Sequence, residues 1–492
     1  MSIKEEHIRL IFGLKMRQLR TRKNLSLYGL AKKSGLSKSY LNEIENGKKY
    51  PKQDKILELA QALDTTYDDM VSLKLDKNLA PLGEILESGV LKELPLKLFG
   101  IEEHDLINII SNAPSKVNAF ISTIIEIAKT YHLDFEGFYL AALRSYQEAE
   151  NNFFSDLESK AVSFGEAYQL DLDKNIPSAD LEEILVEEYG YHIVDNGIEK
   201  DPLLDNLRSV FVPKSRKLLL SSAIDEAQRA FIFGKEIAYN YLALRERPYT
   251  FSWITYHSFD EVLNNFYASY FSGALLLSRK RLQEKLKTWL HSPSWNETPF
   301  TEMLKGFNAS PESVYHRLTN ILTHDFGIRD LFFLRFVHQK GDAHYTLSKE
   351  LHITQHQKPS TRNYKEHYCR RWISIKTLQQ MQKMPDDHIF GAQVSTYENG
   401  NKYLVLSSAT PDPFDDTKYR SASLGILITP HLQRKYPLLQ ALDLPDIPVG
   451  ITCESCSITD CEVRAIKPRN LLKQQRFEIT EQRVQGLISQ HS

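Results

Sequence analysis

The stretch GLSKSYLNEIENGKKYP, residues 35–51, decides the fold of the N-terminal region. Ser37 can cap a short helix, because its hydroxyl can accept a hydrogen bond from a backbone N–H of the first turn. Leu41 and Ile44 then lie on one face of that helix, and a glycine stands at each end. The preceding stretch LSLYGLAKKSG, residues 25–35, has the pattern of another short helix. Two short helices joined by a tight turn predict a helix-turn-helix.

The helical pattern extends outward into a domain of five short helices, which we place at residues 1–76. An apolar stripe at Ile8, Ile11, Leu14 and Leu19 predicts the first helix. Apolar runs after Pro51 predict the fourth, and a short fifth helix ends near residue 73.

This domain is strongly basic, although the whole chain is not. Between residues 9 and 55, lysine and arginine outnumber aspartate and glutamate by about ten. The full chain has 61 Lys+Arg, 63 Asp+Glu and a formal net charge of −2. A basic region confined to one domain is the electrostatic footprint expected of a nucleic-acid-binding surface.

The second helix of a helix-turn-helix enters the major groove of DNA by its N-terminal end. Serine, asparagine and lysine side chains there can reach base edges, and basic or aromatic residues just after the helix can contact phosphates. One short helix reads few base pairs, so we expect a homodimer or higher oligomer to bind a double-stranded operator. The candidate DNA-binding residues are Ser37, Lys38, Ser39 and Asn42 on the helix, followed by Lys48, Lys49 and Tyr50.

Length and composition narrow the class of protein. A chain of 492 residues is too long for one ordinary core, so several domains are expected. Four cysteines exclude a disulfide scaffold and favour a reducing compartment, the cytoplasm. The start, MSIKEEHIRL, is too charged for a signal peptide. The longest apolar stretch, residues 266–277, is too short to cross a bilayer, so no membrane partner is predicted.

Beyond the first domain, hydrophobic periodicity predicts a multidomain α+β fold that is mainly α. A helical linker or dimerisation region is placed at 77–160 and a mostly helical domain at 161–323, with strong helices at 225–245 and 259–285. The remainder, 324–492, is predicted as an antiparallel sheet with helices and a cysteine loop. Its strands are the runs DLFFLRFVH, AHYTLSKEL, AQVSTYE, KYLVLSS and LGILIT.

Three of the four cysteines form a C-x2-C-x4-C motif, and this spacing is typical of a metal or cluster site. Cys453, Cys456 and Cys461 lie within PVGITCESCSITDCEVRA, and Cys369 lies upstream in EHYCRRW. Cys369 is the candidate fourth ligand, with His367 as its rival. The basic residues beside Cys369 are expected to favour its thiolate. Spacing does not decide between zinc and a [4Fe–4S] cluster, because both take four thiolates.

Two segments resemble known families. Residues 8–72 resemble the phage-repressor-type helix-turn-helix family. The segment DEAQRAFIFGKEIAYNYL, together with NNFYASYFSGALLLS, resembles the ImmA/IrrE-type metallopeptidase fold. Lys235 and Tyr239 stand at its two histidine positions, Glu236 remains, and Tyr267 is where an acidic third ligand is expected. A glutamate base without metal-bound water has nothing to activate, so we predict no enzyme activity.

The chain as a whole resembles the short-chain fatty acyl transcriptional regulators. The similarity is carried by FFLRFVHQKGDAHY, HYCRRW and VGITCESCSITDCEVRAIKP. It implies control of acetate or propionate metabolism, an acyl-CoA or CoA-like effector and, in some members, a cysteine-bound iron–sulfur cluster. Arg370, Arg371 and Trp372 fit a ligand wall for such an effector. The alternative for these three residues is a surface charge pair beside a core tryptophan.

The leading hypothesis is therefore a DNA-binding transcriptional regulator whose C-terminal region senses a metabolite or redox state. One alternative is an ImmA/IrrE-type zinc peptidase acting on a repressor, which the replaced histidines disfavour. Another is a phage or mobile-element repressor with a structural zinc site.

Overall fold

The computed structural model describes residues 5–72, 135–198, 204, 207–250, 256–353 and 367–491. Most of the predicted helical region 77–160 lies outside these ranges. The chain divides into two compact units, residues 1–142 with 257–259, and residues 143–256 with 260–492. In the described ranges no helix combines the length and the apolar character needed to span a membrane.

The N-terminal region contains the five predicted helices. Ser26 and Ser37 cap α2 and α3 by accepting hydrogen bonds from Gly29 N and Tyr40 N. Gly35 adopts the left-handed conformation, with φ +72°, that ends α2. Leu30, Leu41, Ile44 and Leu59 are fully buried in the core between the helices. The helices are α1 (Glu5–Arg22), α2 (Leu27–Ser34), α3 (Lys38–Glu45), α4 (Gln53–Ala62) and α5 (Tyr67–Val71).

The middle of the chain packs helices around a small sheet, in which β3 pairs with β1 in parallel and with β2 antiparallel. Its elements are α6 (Phe135–Ala149), α7 (Ser155–Ala167), α8 (Ser178–Glu187), β1 (His192–Val194), β2 (Ser209–Val212), β3 (Lys217–Leu220), α9 (Glu226–Tyr241) and α10 (Phe259–Leu276).

The single helix predicted over residues 259–285 is wrong, because the structure has two helices there. The first, α10, ends at Leu276, and α11 (Arg279–Leu290) begins after Ser278. Ser278 leaves the helical conformation, with φ −48° and ψ 123°, and its side chain accepts a hydrogen bond from Arg281 N. A serine can therefore start a new helix inside a continuous apolar pattern. Two more helices follow, α12 (Thr298–Lys305) and α13 (Pro311–Asp325).

The C-terminal region is built on a six-stranded sheet with the order β5-β4-β8-β7-β6-β9. Neighbouring strands are antiparallel, except that β9 pairs with β6 in parallel. The sequence did not predict β9. The elements are β4 (Leu331–Gln339), β5 (Thr346–Ile353), α14 (Ile373–Lys383), β6 (Ile389–Tyr397), β7 (Lys402–Asp412), β8 (Asp415–Leu427), α15 (Pro430–Lys435), α16 (Pro437–Gln440), β9 (Asp446–Val449), a 3-10 turn (Cys453–Ser455) and α17 (Arg469–His491).

Alternation along the strands gives this sheet a core on each face. Phe333, Leu404 and Leu424 point to the core shared with α11, α12 and α13. Phe332 and Tyr403 point to the other core, which α14 covers and which also contains Cys369. The mixed α+β fold class is therefore confirmed, and the cysteine loop lies on the second face of the sheet.

Candidate functional site

The predicted recognition helix is α3, and its outer face is open to solvent. All seven candidate DNA-binding residues, at positions 37, 38, 39, 42, 48, 49 and 50, are exposed. Lys49 Nζ lies 2.8 Å from a Glu43 carboxylate oxygen. The ring of Tyr50 packs on Phe12, with centroids 5.1 Å apart. The structure thus leaves the predicted DNA-contacting side chains available to a partner.

The inner side of α3 is fixed to α1 by a charge pair that sequence reasoning missed. Arg20 donates two hydrogen bonds to Glu45, at 2.6 and 3.0 Å, and a third to Leu25 O at 2.7 Å. Glu45 is 5% exposed, so this pair is structural rather than a surface contact. The signal in the sequence was the position of Glu45 directly after the apolar Ile44, which places the glutamate near the inner side of α3.

The four cysteines line one small cavity. Cys369 approaches from the segment before α14, while Cys453, Cys456 and Cys461 come from the loop after β9. Its volume is about 10 Å³, near the space of one water-sized sphere. Backbone hydrogen bonds join the two segments, from Cys369 N to Ile451 O at 3.0 Å and from Cys453 N to His367 O at 2.7 Å. The fold therefore brings the distant cysteine to the motif, as the sequence predicts.

Two arginines that line this cavity hold its walls. Arg464 donates to Cys453 O at 3.0 Å and to Ile458 O, and thereby ties the cysteine loop to itself. Arg370 donates to Ala343 O and stacks on Tyr345, at 4.3 Å from the ring centroid. Among the described residues, the buried Nη1 of Arg370 has no hydrogen-bond partner. A buried guanidinium N–H without a partner beside four thiols suits a negatively charged occupant.

His367, the rival fourth ligand, is held elsewhere. Its Nδ1 lies 2.8 Å from Glu454 Oε1, and its backbone N–H donates to the same carboxylate. Cys369 is instead a cavity residue. Burial raises the pKa of the Cys369 thiol, which corrects the expectation that neighbouring basic residues would favour its thiolate. Desolvation of this buried residue outweighs the backbone hydrogen bonds of Arg371 and Gly450, which lower the pKa of its thiol.

The donor set fits both a structural zinc and a [4Fe–4S] cluster, because four thiols converge on one cavity. Within the described ranges, no three His, Cys, Asp or Glu side chains are placed closely enough to hold an ion as they stand.

The structure corrects the ligand-wall prediction for Trp372. This residue is 3% exposed, and its indole N–H donates to Gly450 O at 2.9 Å. Trp372 is therefore a core residue without a free face. This agrees with the alternative interpretation, in which Trp372 is a core tryptophan. Arg371 donates weakly to Pro448 O and Asp460 O, both at 3.4 Å. Arg371 thus contacts the cysteine loop, whereas Arg370 contacts the turn between β4 and β5.

On α9, the residues that the resemblance aligns with two histidine ligands belong to a hydrogen-bonded cluster. Lys235 Nζ donates to Asn265 Oδ1 at 2.8 Å, and the Tyr239 hydroxyl donates to the same oxygen at 3.2 Å. Tyr267 instead hydrogen-bonds to Tyr146 at 3.1 Å. Asn265, rather than Tyr267, is therefore the α10 residue that faces the two replaced histidine positions.

Glu236, the neighbour of Lys235 on α9, is held by hydrogen bonds from two side chains. Arg247 donates to one carboxylate oxygen at 2.7 Å, and Tyr191 donates to the other at 2.9 Å. Arg247 also stacks on Tyr239, at 3.9 Å from the ring centroid. Both oxygens of Glu236 are thus engaged in internal contacts.

A cluster of arginine and lysine side chains surrounds Glu312, at the start of α13. Burial alone would raise the pKa of Glu312, but the surrounding cations lower it to about 2. Arg335 donates to Glu312 at 3.0 Å. Burial lowers the pKa of Lys349, although its side chain reaches solvent and has no hydrogen-bond or ion-pair partner in the described parts of the chain. The cations around Glu312 are Arg208, Arg335, Lys349 and Arg420.

Comparisons with known proteins agree with this arrangement. Residues 352–484 match the family model for the C-terminal part of the short-chain fatty acyl coenzyme A regulators, and residues 16–70 match a helix-turn-helix model. The chain carries the domains of a short-chain fatty acyl coenzyme A regulator. A protein with these two domains is a DNA-binding transcriptional regulator.

Two solved structures are similar to parts of the chain. A Mycobacterium tuberculosis transcriptional regulator shares 17% identity, covering 66% of this chain and 92% of its own, with a TM-score of 0.46. The restriction-modification controller protein C.AhdI from Aeromonas hydrophila is 40% identical, covering 13% of this chain and 94% of its own, with a TM-score of 0.13. No significant match was found among curated proteins.

Proposed function

We propose that this regulator binds operator DNA as a dimer through α3 and that its C-terminal region responds to a CoA thioester and to a metal or cluster on its cysteines. The observation that carries the proposal is the convergence of Cys369 with Cys453, Cys456 and Cys461 on one cavity. A [4Fe–4S] cluster there would supply an oxygen-sensitive redox centre, whereas zinc would supply a closed structural tie.

In this account the effector acts by changing the relative populations of two arrangements of the dimer. The dimer has arrangements that differ in the spacing of its two α3 helices, and only one spacing fits the operator half-sites. An effector changes DNA affinity only by as much as it prefers one arrangement. Arg371 connects the segment before α14 to the cysteine loop at Asp460, and Arg464 ties that loop to itself, so a change in the sulfur ligands would move the backbone at these contacts.

The cluster of cations around Glu312, with the exposed Lys349, is the candidate site for the phosphates of a CoA thioester. Phosphate groups pair with arginine and lysine through charge-assisted hydrogen bonds. The Lys349 amine lies 5.7 Å from the Phe333 ring centroid and makes no hydrogen bond or ion pair among the described residues, and Arg208, Arg335 and Arg420 surround the same carboxylate. The name of the matching family model, which specifies a fatty acyl coenzyme A, agrees with this chemistry.

The test of the cysteine site is metal and sulfide analysis of anaerobically purified protein, together with its visible absorption. A cluster gives broad brown absorption with iron, which Cys456→Ser abolishes. The control is Thr459→Ala, an exposed position in the same loop, which should keep the absorption. Colourless protein with stoichiometric zinc supports a structural site, and protein without any metal contradicts the proposal.

The effector site is tested by titrating the protein with propionyl-CoA, acetyl-CoA and free CoA. Lys349→Ala should weaken binding about tenfold, because a charged hydrogen bond is lost. The matched control is Lys383→Ala, an exposed lysine on α14. Equal affinities of the two variants would contradict this placement of the phosphates.

The zinc peptidase remains the alternative function. It would need a metal held where Lys235 and Tyr239 hydrogen-bond to Asn265. We therefore expect no zinc-dependent cleavage of a repressor. Cleavage that Glu236→Ala abolishes would overturn this expectation.

A further inference from the structure

A second cavity adjoins the cysteine cavity and has no role in the function proposed above. Its volume is about 250 Å³, slightly below the range of about 300–1,000 Å³ usual for drug-sized ligands. The two cavities share Cys456 and Ile458. Its remaining wall comes from the ends of β4, β5, β6, β7 and β9.

Three aromatic rings give this cavity an apolar interior. Phe332 lies against Tyr403, with centroids 5.3 Å apart, and Tyr397 lies 5.6 Å from Tyr403. The ring of Phe332 lies so close to Gly425 that a Cβ there would come within 2.2 Å of it. Gly425 therefore makes room for the ring, and the sheet supplies the aromatic part of a wall that the β6–β7 turn and the cysteine loop complete.

His352 is a polar side chain in this wall that lacks a partner. It is 5% exposed, and neither of its ring nitrogens has a hydrogen-bond partner in the described part of the chain. A Glu350 carboxylate oxygen lies 3.5 Å from Nε2 without completing a hydrogen bond. Leaving a buried polar group unsatisfied costs about 1–3 kcal/mol. A ligand in the cavity could supply the missing partner.

The surroundings of His352 define the chemistry of that ligand. A carboxylate lies beside Nε2, so a ring with its proton on Nε2 points that N–H toward the carboxylate and leaves Nδ1 as a hydrogen-bond acceptor. Among the described residues that line the cavity there is no lysine or arginine. The one acidic residue among them is Glu398. An anion would therefore be poorly compensated, whereas an uncharged donor would be satisfied.

We propose that this cavity binds a small uncharged molecule with a flat apolar body and one N–H or O–H group that donates to His352. The bound molecule would contact Cys456, whose sulfur lies close to Gly450 on the cavity floor. A Cβ at Gly450 would come within 2.8 Å of that sulfur. Occupancy should therefore slow the reaction of Cys456 with thiol reagents.

Indole and 1-methylindole provide the test on the unmodified full chain, by isothermal titration calorimetry without DNA or CoA. Both have the same flat body, but 1-methylindole lacks the N–H. We expect saturable binding of indole at one site and about tenfold weaker binding of 1-methylindole, since one hydrogen bond is lost. His352→Phe should weaken indole about tenfold and leave 1-methylindole unchanged. His431→Phe, at an exposed histidine on α15, is the matched control and should change neither.

Absence of saturable indole binding, or equal affinity for indole and 1-methylindole, would overturn the proposal. Both measurements use the original chain and do not depend on the folding of a variant. A second variant, Ser457→Trp, fills the cavity from the cysteine loop and should abolish indole binding. Unaltered indole binding by Ser457→Trp would place the molecule elsewhere and contradict the proposal. The titrations do not depend on operator binding, so they distinguish a failure here from a failure of the proposed regulatory function.

Discussion

Lys235 is a lysine on the buried side of α9. Its amine is buried, with the side chain 4% exposed, and it donates to Asn265. Burial lowers the pKa of Lys235 from 10.5 to about 7. The unfolded chain therefore binds a proton that the folded chain releases between these two values.

The first prediction follows from the sign of this shift. Between about pH 7 and pH 10.5 the unfolded state binds more protons, so the free energy of unfolding should rise with pH. Lys235→Met should remove this contribution, up to about 1.4 kcal/mol per pH unit. The measurement is denaturant unfolding at several pH values, with Lys383→Met as an exposed control. Parallel curves for the original chain and Lys235→Met would contradict the prediction.

At the scale of single residues, the sequence identifies candidate site residues better than it identifies the side chains that contact them. Cys369 lines the same cavity as the motif, and it is the one cysteine of the sequence outside that motif. The sequence points to Tyr267 and not to Asn265, because spacing along a helix does not give the rotation of that helix toward its partner. Trp372 was ambiguous because core and ligand-binding tryptophans have the same local sequence pattern.

The contact between α1 and α3 sets the position of the recognition helix. Gly13 of α1 lies against the end of α3, where a Cβ would come within 2.2 Å of Ile44 O. The Arg20–Glu45 pair ties the same two helices. The position of α3 thus depends on a glycine contact and a charge pair on its inner side, away from the DNA-binding face.

We predict that Gly13→Ala loosens α3 although alanine favours helices. The added methyl meets a backbone carbonyl that has little room to move, which should cost about 1–3 kcal/mol. Gly29→Ala is the control, because its nearest contact would be an ordinary 3.5 Å, and it should stabilise α2 by about 1 kcal/mol. Hydrogen exchange of the α3 amides measures both effects. Equal protection in the two variants would show that this contact does not hold α3.

Elements with strong local signals were predicted and those set by distant partners were not. The capped helices α2 and α3 follow from serine caps and apolar periodicity, and the strands β4 and β7 follow from short apolar runs that are buried on both faces of the sheet. β9 has only four residues and exists because it pairs with β6. The break between α10 and α11 depends on one serine within a helical apolar pattern.

The whole molecule joins a basic DNA-binding domain to a larger, more acidic remainder. The net charge of −2 is therefore the sum of two regions with opposite charge. If the cysteine site is coupled to DNA binding, its loss must change operator affinity. We predict that Cys456→Ser changes this affinity by about five- to 150-fold relative to the loaded protein, the usual range of allosteric coupling. Thr459→Ala should leave it unchanged. Identical operator affinities of Cys456→Ser and the loaded protein would show that the cysteine site has only a structural role.

The central claim, that α3 reads operator DNA, is tested most directly by one binding titration. A duplex enriched from random sequences by the original chain is titrated, at several salt concentrations, with that chain and with Lys38→Ala combined with Asn42→Ala. The account predicts at least about tenfold weaker binding by the double variant, while Lys383→Ala binds as before. Unchanged affinity of the double variant would contradict the assignment of α3 as the recognition helix.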